Sequence, residues 1–172
     1  MIIRYVTSKD ARIMFVGINP HYGSYRRGIP FSNNKMFWYL LNRSGIIDED
    51  IGDLRDDRSL RKLYRDRFLN TYNLNFTNII TRPSRDVSQL KRGEEDSGRR
   101  RTLRLISVNK PRVVCFIGKI TYSRFTGNDD FRFGWQKDIC NSKAYVMHFP
   151  IRGKAQIRIR ELREINRVAT NA

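Results

Sequence analysis

The chain is poor in the residues on which metal, disulfide and membrane chemistry depend. Its 172 residues include two cysteines and two histidines. Cys115 and Cys140 cannot furnish a four-cysteine zinc or iron–sulfur site. Cys115 lies within the apolar run Val113-Val114-Cys115-Phe116-Ile117, which reads as a buried, reduced thiol. With His21 and His148 as the two histidines, neither a His-Glu-x-x-His helix nor the His-plus-two-Cys pattern of zinc deaminases is present. Walker A and Gly-rich dinucleotide fingerprints are missing too. No apolar run approaches the roughly 20 residues of a spanning helix. Residues 1–7 lead into a strand-like stretch and lack the apolar core of a signal peptide. The expectation is an intracellular, non-secreted protein that uses no cofactor and no metal.

Acidic residues are also scarce. Seventeen Asp and Glu face 34 Lys and Arg, a net charge of +17. Such an excess in a small domain repels itself unless its partner is polyanionic. Nucleic acid is the first candidate, an anionic membrane surface the second, and a highly acidic protein the third. With 40% hydrophobic and 12% aromatic residues the chain can build a core despite its 30% of charged residues. The length suits one compact domain, 1–172. No internal repeat and no linker rich in Pro, Gly or Ser divides it.

Four apolar runs read as strands, at 13–18, 74–80, 113–117 and 144–149. Helical spacing lies between and after them. Phe37, Trp38, Leu40 and Leu41 form one stripe, and Leu60, Leu63, Tyr64 and Phe68 a second. Leu103, Leu105 and Ile106 mark a third, and Ile157, Leu162, Ile165 and Val168 a C-terminal helix. Strands alternating with helices predict a three-layer α/β/α sandwich around a mainly parallel four-stranded sheet. Ligands of such sheets bind beyond the carboxyl ends of the strands. The segments to watch are therefore Gly17-Ile18-Asn19-Pro20-His21, Thr81-Arg82-Pro83-Ser84, Gly118-Lys119 and Pro150-Ile151-Arg152-Gly153-Lys154. Asn19 and Pro150 should end neighbouring strands. The basic runs Arg99-Arg100-Arg101 with Arg104, and Arg158, Arg160, Arg163 and Arg167, are solvated helix faces of which some should touch a polyanion.

One stretch carries more than turn chemistry. Ile13-Met14-Phe15-Val16-Gly17-Ile18-Asn19-Pro20, then Gly28-Ile29-Pro30-Phe31 and Asn34-Lys35-Met36-Phe37-Trp38, closely resembles the first motif of the mismatch-specific uracil-DNA and thymine-DNA glycosylases. The likeness continues in order along the chain. Phe76-Thr77-Asn78-Ile79-Ile80-Thr81-Arg82-Pro83 looks like the family's second strand and exit, and Glu94-Glu95-Asp96-Ser97-Gly98-Arg99 like the start of its long helix. Pro111 to Lys119, with Tyr122 and Phe125, is similar to the third strand and turn, and Tyr145-Val146-Met147 with Pro150 to the strand before the second motif. Two departures stand out. His21 occupies a position where the family usually has Gly. The second motif reads His148-Phe149-Pro150-Ile151-Arg152-Gly153, without the family's serines and about one residue longer. Other uracil glycosylases carry a catalytic His directly before this Pro; His148 sits one residue earlier and reads as a structural strand-end histidine.

The resemblance implies a monomeric enzyme that cuts uracil, and further damaged or mispaired bases, out of double-stranded DNA. The nucleotide is flipped into a pocket to expose its glycosidic bond. Asn19 would be the catalytic residue; its amide cannot take up a proton at neutral pH and would orient water. Gly17, Ile18, Phe31 and Asn78 would form the base pocket, with Phe31 as its aromatic face. Ile151, Arg152 and Gly153 stand where the family wedges the duplex, Arg152 able to bond an orphaned guanine. Lys154 and Arg82, after strand ends, would meet phosphates. Two other functions fit the composition: a non-catalytic double-stranded DNA-binding module, and a small-molecule nucleosidase. The first needs no pocket at Asn19, and the second has no use for the cationic excess.

Overall fold

The computed structural model describes residues 2–171; Met1 and Ala172, the outer ends of the expected domain, lie outside them. The apolar runs form strands β1 (Ile13–Gly17), β2 (Leu74–Asn78) and β3 (Val113–Ile117); a hairpin of β4 (Gly134–Ile139) and β5 (Ser142–Met147) follows. The sheet runs in the order β2-β1-β3-β5-β4. Its first four strands are parallel, and β4 pairs antiparallel at the edge. The side-chain period of two splits the strands between two cores. Ile13, Phe15, Cys115 and Tyr145 face one; Met14, Val16, Phe116 and Val146 face the other.

Helices cover both faces. The first core receives Phe37, Trp38, Leu40 and Leu41 of α2 (Met36–Arg43), Leu60 of α4 (Asp57–Lys62), the π-helical turn Leu63–Arg67, and α7 (Ala155–Thr170). The second receives Ile106 of α5 (Asp96–Asn109) and Tyr122 of α6 (Lys119–Thr126). Two further short helices are α1 (Tyr22–Arg27) and α3 (Ile51–Arg55). This is the three-layer α/β/α sandwich.

The structure departs from the sequence reading in four places. A fifth strand, β4, was hidden because an edge strand half open to solvent carries no apolar run: its sequence is Gly-Trp-Gln-Lys-Asp-Ile. Its turn is Cys140-Asn141, both left-handed at φ 49° and 69°, as a tight twisted hairpin requires. In α5 the inward row is Gly98, Thr102, Ile106 and Asn109, whereas Leu103 is exposed. The helix lies so close to the sheet that a Cβ on Gly98 would stand 1.7 Å from the Ile79 carbonyl oxygen. In α7, Ile157 is exposed while Arg158 and Glu161 are buried. Finally, β3 lies between β1 and β5, so Asn19 and Pro150 follow strands that are not adjacent.

Candidate active site

The carboxyl ends of the parallel strands surround a cavity of about 560 Å³. Its floor begins where β1 and β2 leave the sheet together. Gly17 and Ile18 carbonyls accept from Ile79 and Ile80 N–H (2.9 and 2.8 Å), and the Pro20 carbonyl accepts from Ser84 N–H (3.1 Å). The Asn19 amide nitrogen donates to Ser84 Oγ (2.8 Å) and to the carbonyls of Arg82 (3.2 Å) and Pro20 (3.3 Å). Carbonyl oxygens can only accept, so this contact fixes which end of the amide is nitrogen. Oδ1 is left without one of these partners, on a residue that lines the cavity.

Phe31 is held at the cavity by its loop. Its backbone is left-handed, φ 53°, a strained state for an aromatic residue that the surroundings must enforce. The buried Ser24 hydroxyl accepts from Ser32 and Asn33 N–H (3.0 and 2.9 Å), and Trp38 Nε1 donates to the Pro30 carbonyl (2.7 Å). The ring packs on Phe37 and Phe76, with centroids 4.5 and 5.6 Å away. Gly17 makes room for the side chains of Asn78 and Phe31. A Cβ there would come 2.4 Å from Asn78 Oδ1 and 3.3 Å from Phe31 Cζ. Asn78 ends β2, with its carbonyl bonded by the Arg101 guanidinium, and its side chain stands beside Tyr5. Burial raises the Tyr5 phenol above its ordinary range, against the pull of Asn78 and Arg101, so it stays a neutral hydroxyl.

The opposite wall comes from the end of β3, the start of α6, Phe133 just before β4 and the loop after β5. Ile120, Phe133, Phe149 and Ile151 line it and are more than a third exposed, an apolar rim open to solvent. Lys119, Arg85 and Arg152 stand at the same mouth. The structure thus brings Gly17, Ile18, Asn19, Phe31, Asn78, Ile151 and Arg152 to one cavity. Gly153, Lys154 and Arg82 are not part of its lining. Arg82 turns its guanidinium to Glu94, at 2.5 and 2.9 Å, and to the Gln89 carbonyl, at 2.9 Å. That pair pulls the Glu94 carboxyl down to about 2. A second, more polar hollow of about 620 Å³ lies beyond Asn33 and Asn34, where Asp57 pairs with Arg27 and Lys35. It carries none of the residues at the strand ends.

Sequence reasoning missed several contributors. Ser84, which fixes Asn19, reads only as part of a turn, and Ser24, which fixes the Phe31 loop, carries no signal, because their partners are distant or backbone. His21, noted as a departure, caps α1: its Nδ1 accepts from Gly23 N–H at 3.0 Å, which leaves Nε2 as the ring's donor. It lines the cavity next to Asn19.

A family model described as the uracil DNA glycosylase superfamily matches residues 4–162. The chain belongs to this superfamily. Uracil-DNA glycosylase superfamily members are DNA glycosylases, and the matched span contains all of the cavity lining except Ile3. Among the described residues no helix is long and apolar enough to cross a membrane, and no group of three or more His, Cys, Asp or Glu could hold a metal ion.

Proposed function

We propose that the protein is a monofunctional DNA glycosylase of the mismatch-specific uracil/thymine branch of its superfamily. As a one-domain monomer, it releases uracil, and bases mispaired in the same way, from double-stranded DNA and so opens base excision repair. The observation that carries this reading is Asn19: its nitrogen is bound to Ser84 and to carbonyls, its oxygen takes none of these bonds, and the residue shares a cavity with Phe31 and Asn78, which suits it to orient a water there. A non-catalytic module has no need of such an arrangement.

The reaction follows from these parts. The flipped base enters the cavity and stacks on Phe31. The Asn78 amide, with one donor and one acceptor side, matches the adjacent N–H and C=O of a uracil edge. The C1′–N1 bond breaks with its electron pair leaving on the base, which is stabilised by backbone N–H groups of the loop after β1. Water oriented by Asn19 Oδ1 adds to the cationic C1′ and loses a proton to solvent, giving an abasic site and the free base. Ile151 and Arg152 fill the gap in the duplex, the first by apolar contact and the second by a hydrogen bond to the unpaired guanine. Lys154 and, once released from Glu94, Arg82 meet phosphates.

The test is a labelled duplex with one G·U pair, incubated with the protein and treated with alkali. A break at the uracil supports the reading. Tight binding without a break supports the non-catalytic module, and release of base from free nucleosides but not from DNA supports the nucleosidase.

A further inference from the structure

Two oppositely charged side chains of α7 are buried, and neither is needed by the chemistry above. Arg158 is 6% and Glu161 7% exposed. Among the described residues they form no ion pair with each other; both are spent on the loop that precedes their helix. Arg158 Nε donates to the Phe149 carbonyl (2.6 Å) and its Nη1 to the Lys154 carbonyl (3.0 Å), bracketing the loop at both ends. Glu161 Oε2 accepts from His148 N–H (3.0 Å), and its Oε1 bonds His148 Nδ1 (2.6 Å). The His148 ring in turn stacks on Phe133, 3.6 Å between centroids, in the cavity wall.

The helix dipole does not favour this placement. Arg158 lies four residues into α7, near the positive end of the helix dipole, where a carboxylate would be favoured, and the first turn of α7 has no acid. Burying a charge is costly unless its hydrogen bonds are met. Here they are met by the loop, in whose middle Arg152 is strained: its backbone is left-handed at φ 79°, beside Gly153 at 75°, which takes that form freely. A Cβ on Gly153 would come 3.2 Å from Arg158 Nη1, so the loop rests on the guanidinium. Strained backbone persists where its surroundings over-determine it. A loop already ordered binds without the cost of being ordered then.

We infer that Arg158 and Glu161 are positioning residues that hold loop 148–154 in the form that engages duplex DNA, an inference that rests on the glycosylase reading above. They touch neither base nor phosphate and act through Ile151 and Arg152.

The test compares Arg158→Met, Arg158→Lys and Glu161→Gln with the unaltered protein. Amide hydrogen exchange over residues 148–154 is measured without DNA, and base release is measured in single turnover on G·U duplex and on single-stranded uracil DNA, with Tm alongside. Arg158→Met should speed exchange in the loop but not in β1. It should slow release from duplex about tenfold or more, as displaced contacts do, and release from the single strand much less. Arg158→Lys and Glu161→Gln should lie between, and they decide the matter if Arg158→Met does not fold. Unchanged loop exchange overturns the inference, and so does an equal loss on both substrates. Should the unaltered protein release no base, the glycosylase reading falls by itself. Loop exchange and affinity for a duplex with an abasic site then decide the role of Arg158 and Glu161: a loss of affinity on loosening the loop supports it, and an unchanged affinity overturns it.

Discussion

Asn19 owes its proposed role to what its nitrogen is doing. Three acceptors on the neighbouring exits hold the amide in one orientation. Replacement by Ala removes the oxygen proposed to place water and leaves the exposed rim of the cavity untouched. Asn19→Ala should therefore slow base release on the order of a hundredfold or more with nearly unchanged affinity for DNA; full activity would reduce Asn19 to a turn residue. The Gly-Ile-Asn-Pro segment was legible because its signal is contiguous. The state of Arg82 was not, because its partner Glu94 lies twelve positions away and the two meet only in the fold. That pair gives a pH dependence of definite sign. Glu94 falls from the usual 4.5 to about 2, so its contribution to stability is complete above 4.5 and is lost as pH falls towards 2. Thermal melts across that window should show a loss that Glu94→Gln diminishes; identical acid profiles would mean the half-exposed pair is screened into insignificance.

Elements with uniform surroundings were readable, and elements with mixed ones were not. β1 and β3 are buried on both faces and appear as unbroken apolar runs, whereas β4 faces solvent at the edge and reads as polar chain. The burial of Arg158 and Glu161 in α7 also defeats a reading by apolar spacing, since a charged residue there looks like a solvated face. On the proposed reading, the loop between β5 and α7 is the element on which duplex recognition turns. Ile151 is 38% exposed at the cavity mouth, so it gains little for the fold and is available to DNA. Replacing Ile151 and Arg152 together by Ala should harm G·U duplex cleavage far more than cleavage of uracil in a single strand, which has no gap to fill. It should also narrow any preference for guanine opposite the lesion. Equal losses on both strands, accompanied by a lower Tm, would place Ile151 in the fold instead.

For the molecule as a whole, the net charge of +17 overstates what is offered to DNA. Arg12, Arg61, Arg99, Arg101, Arg112 and Arg158 are bound to backbone carbonyls, and Arg27, Arg67, Arg82 and Arg124 to carboxylates. Composition announced a polyanionic partner but could not say which cations are reserved for the fold. Duplex affinity should still fall steeply, by on the order of a hundredfold or more between about 50 and 200 mM salt; a flat titration would sink the DNA reading. The strand order has a consequence of another kind. Asn78 ends β2, the loop with Ile151 follows β5, and β1 and β3 stand between them. The two strand ends stand three spacings of roughly 4.8 Å apart, beyond the range in which neighbouring residues usually couple. In a double-mutant cycle of Asn78→Ala and Ile151→Ala the rate losses should multiply, with no coupling. Which base is accepted and how strongly the duplex is pried open would then be separate dials on one catalyst, each open to change by evolution or by design without resetting the other.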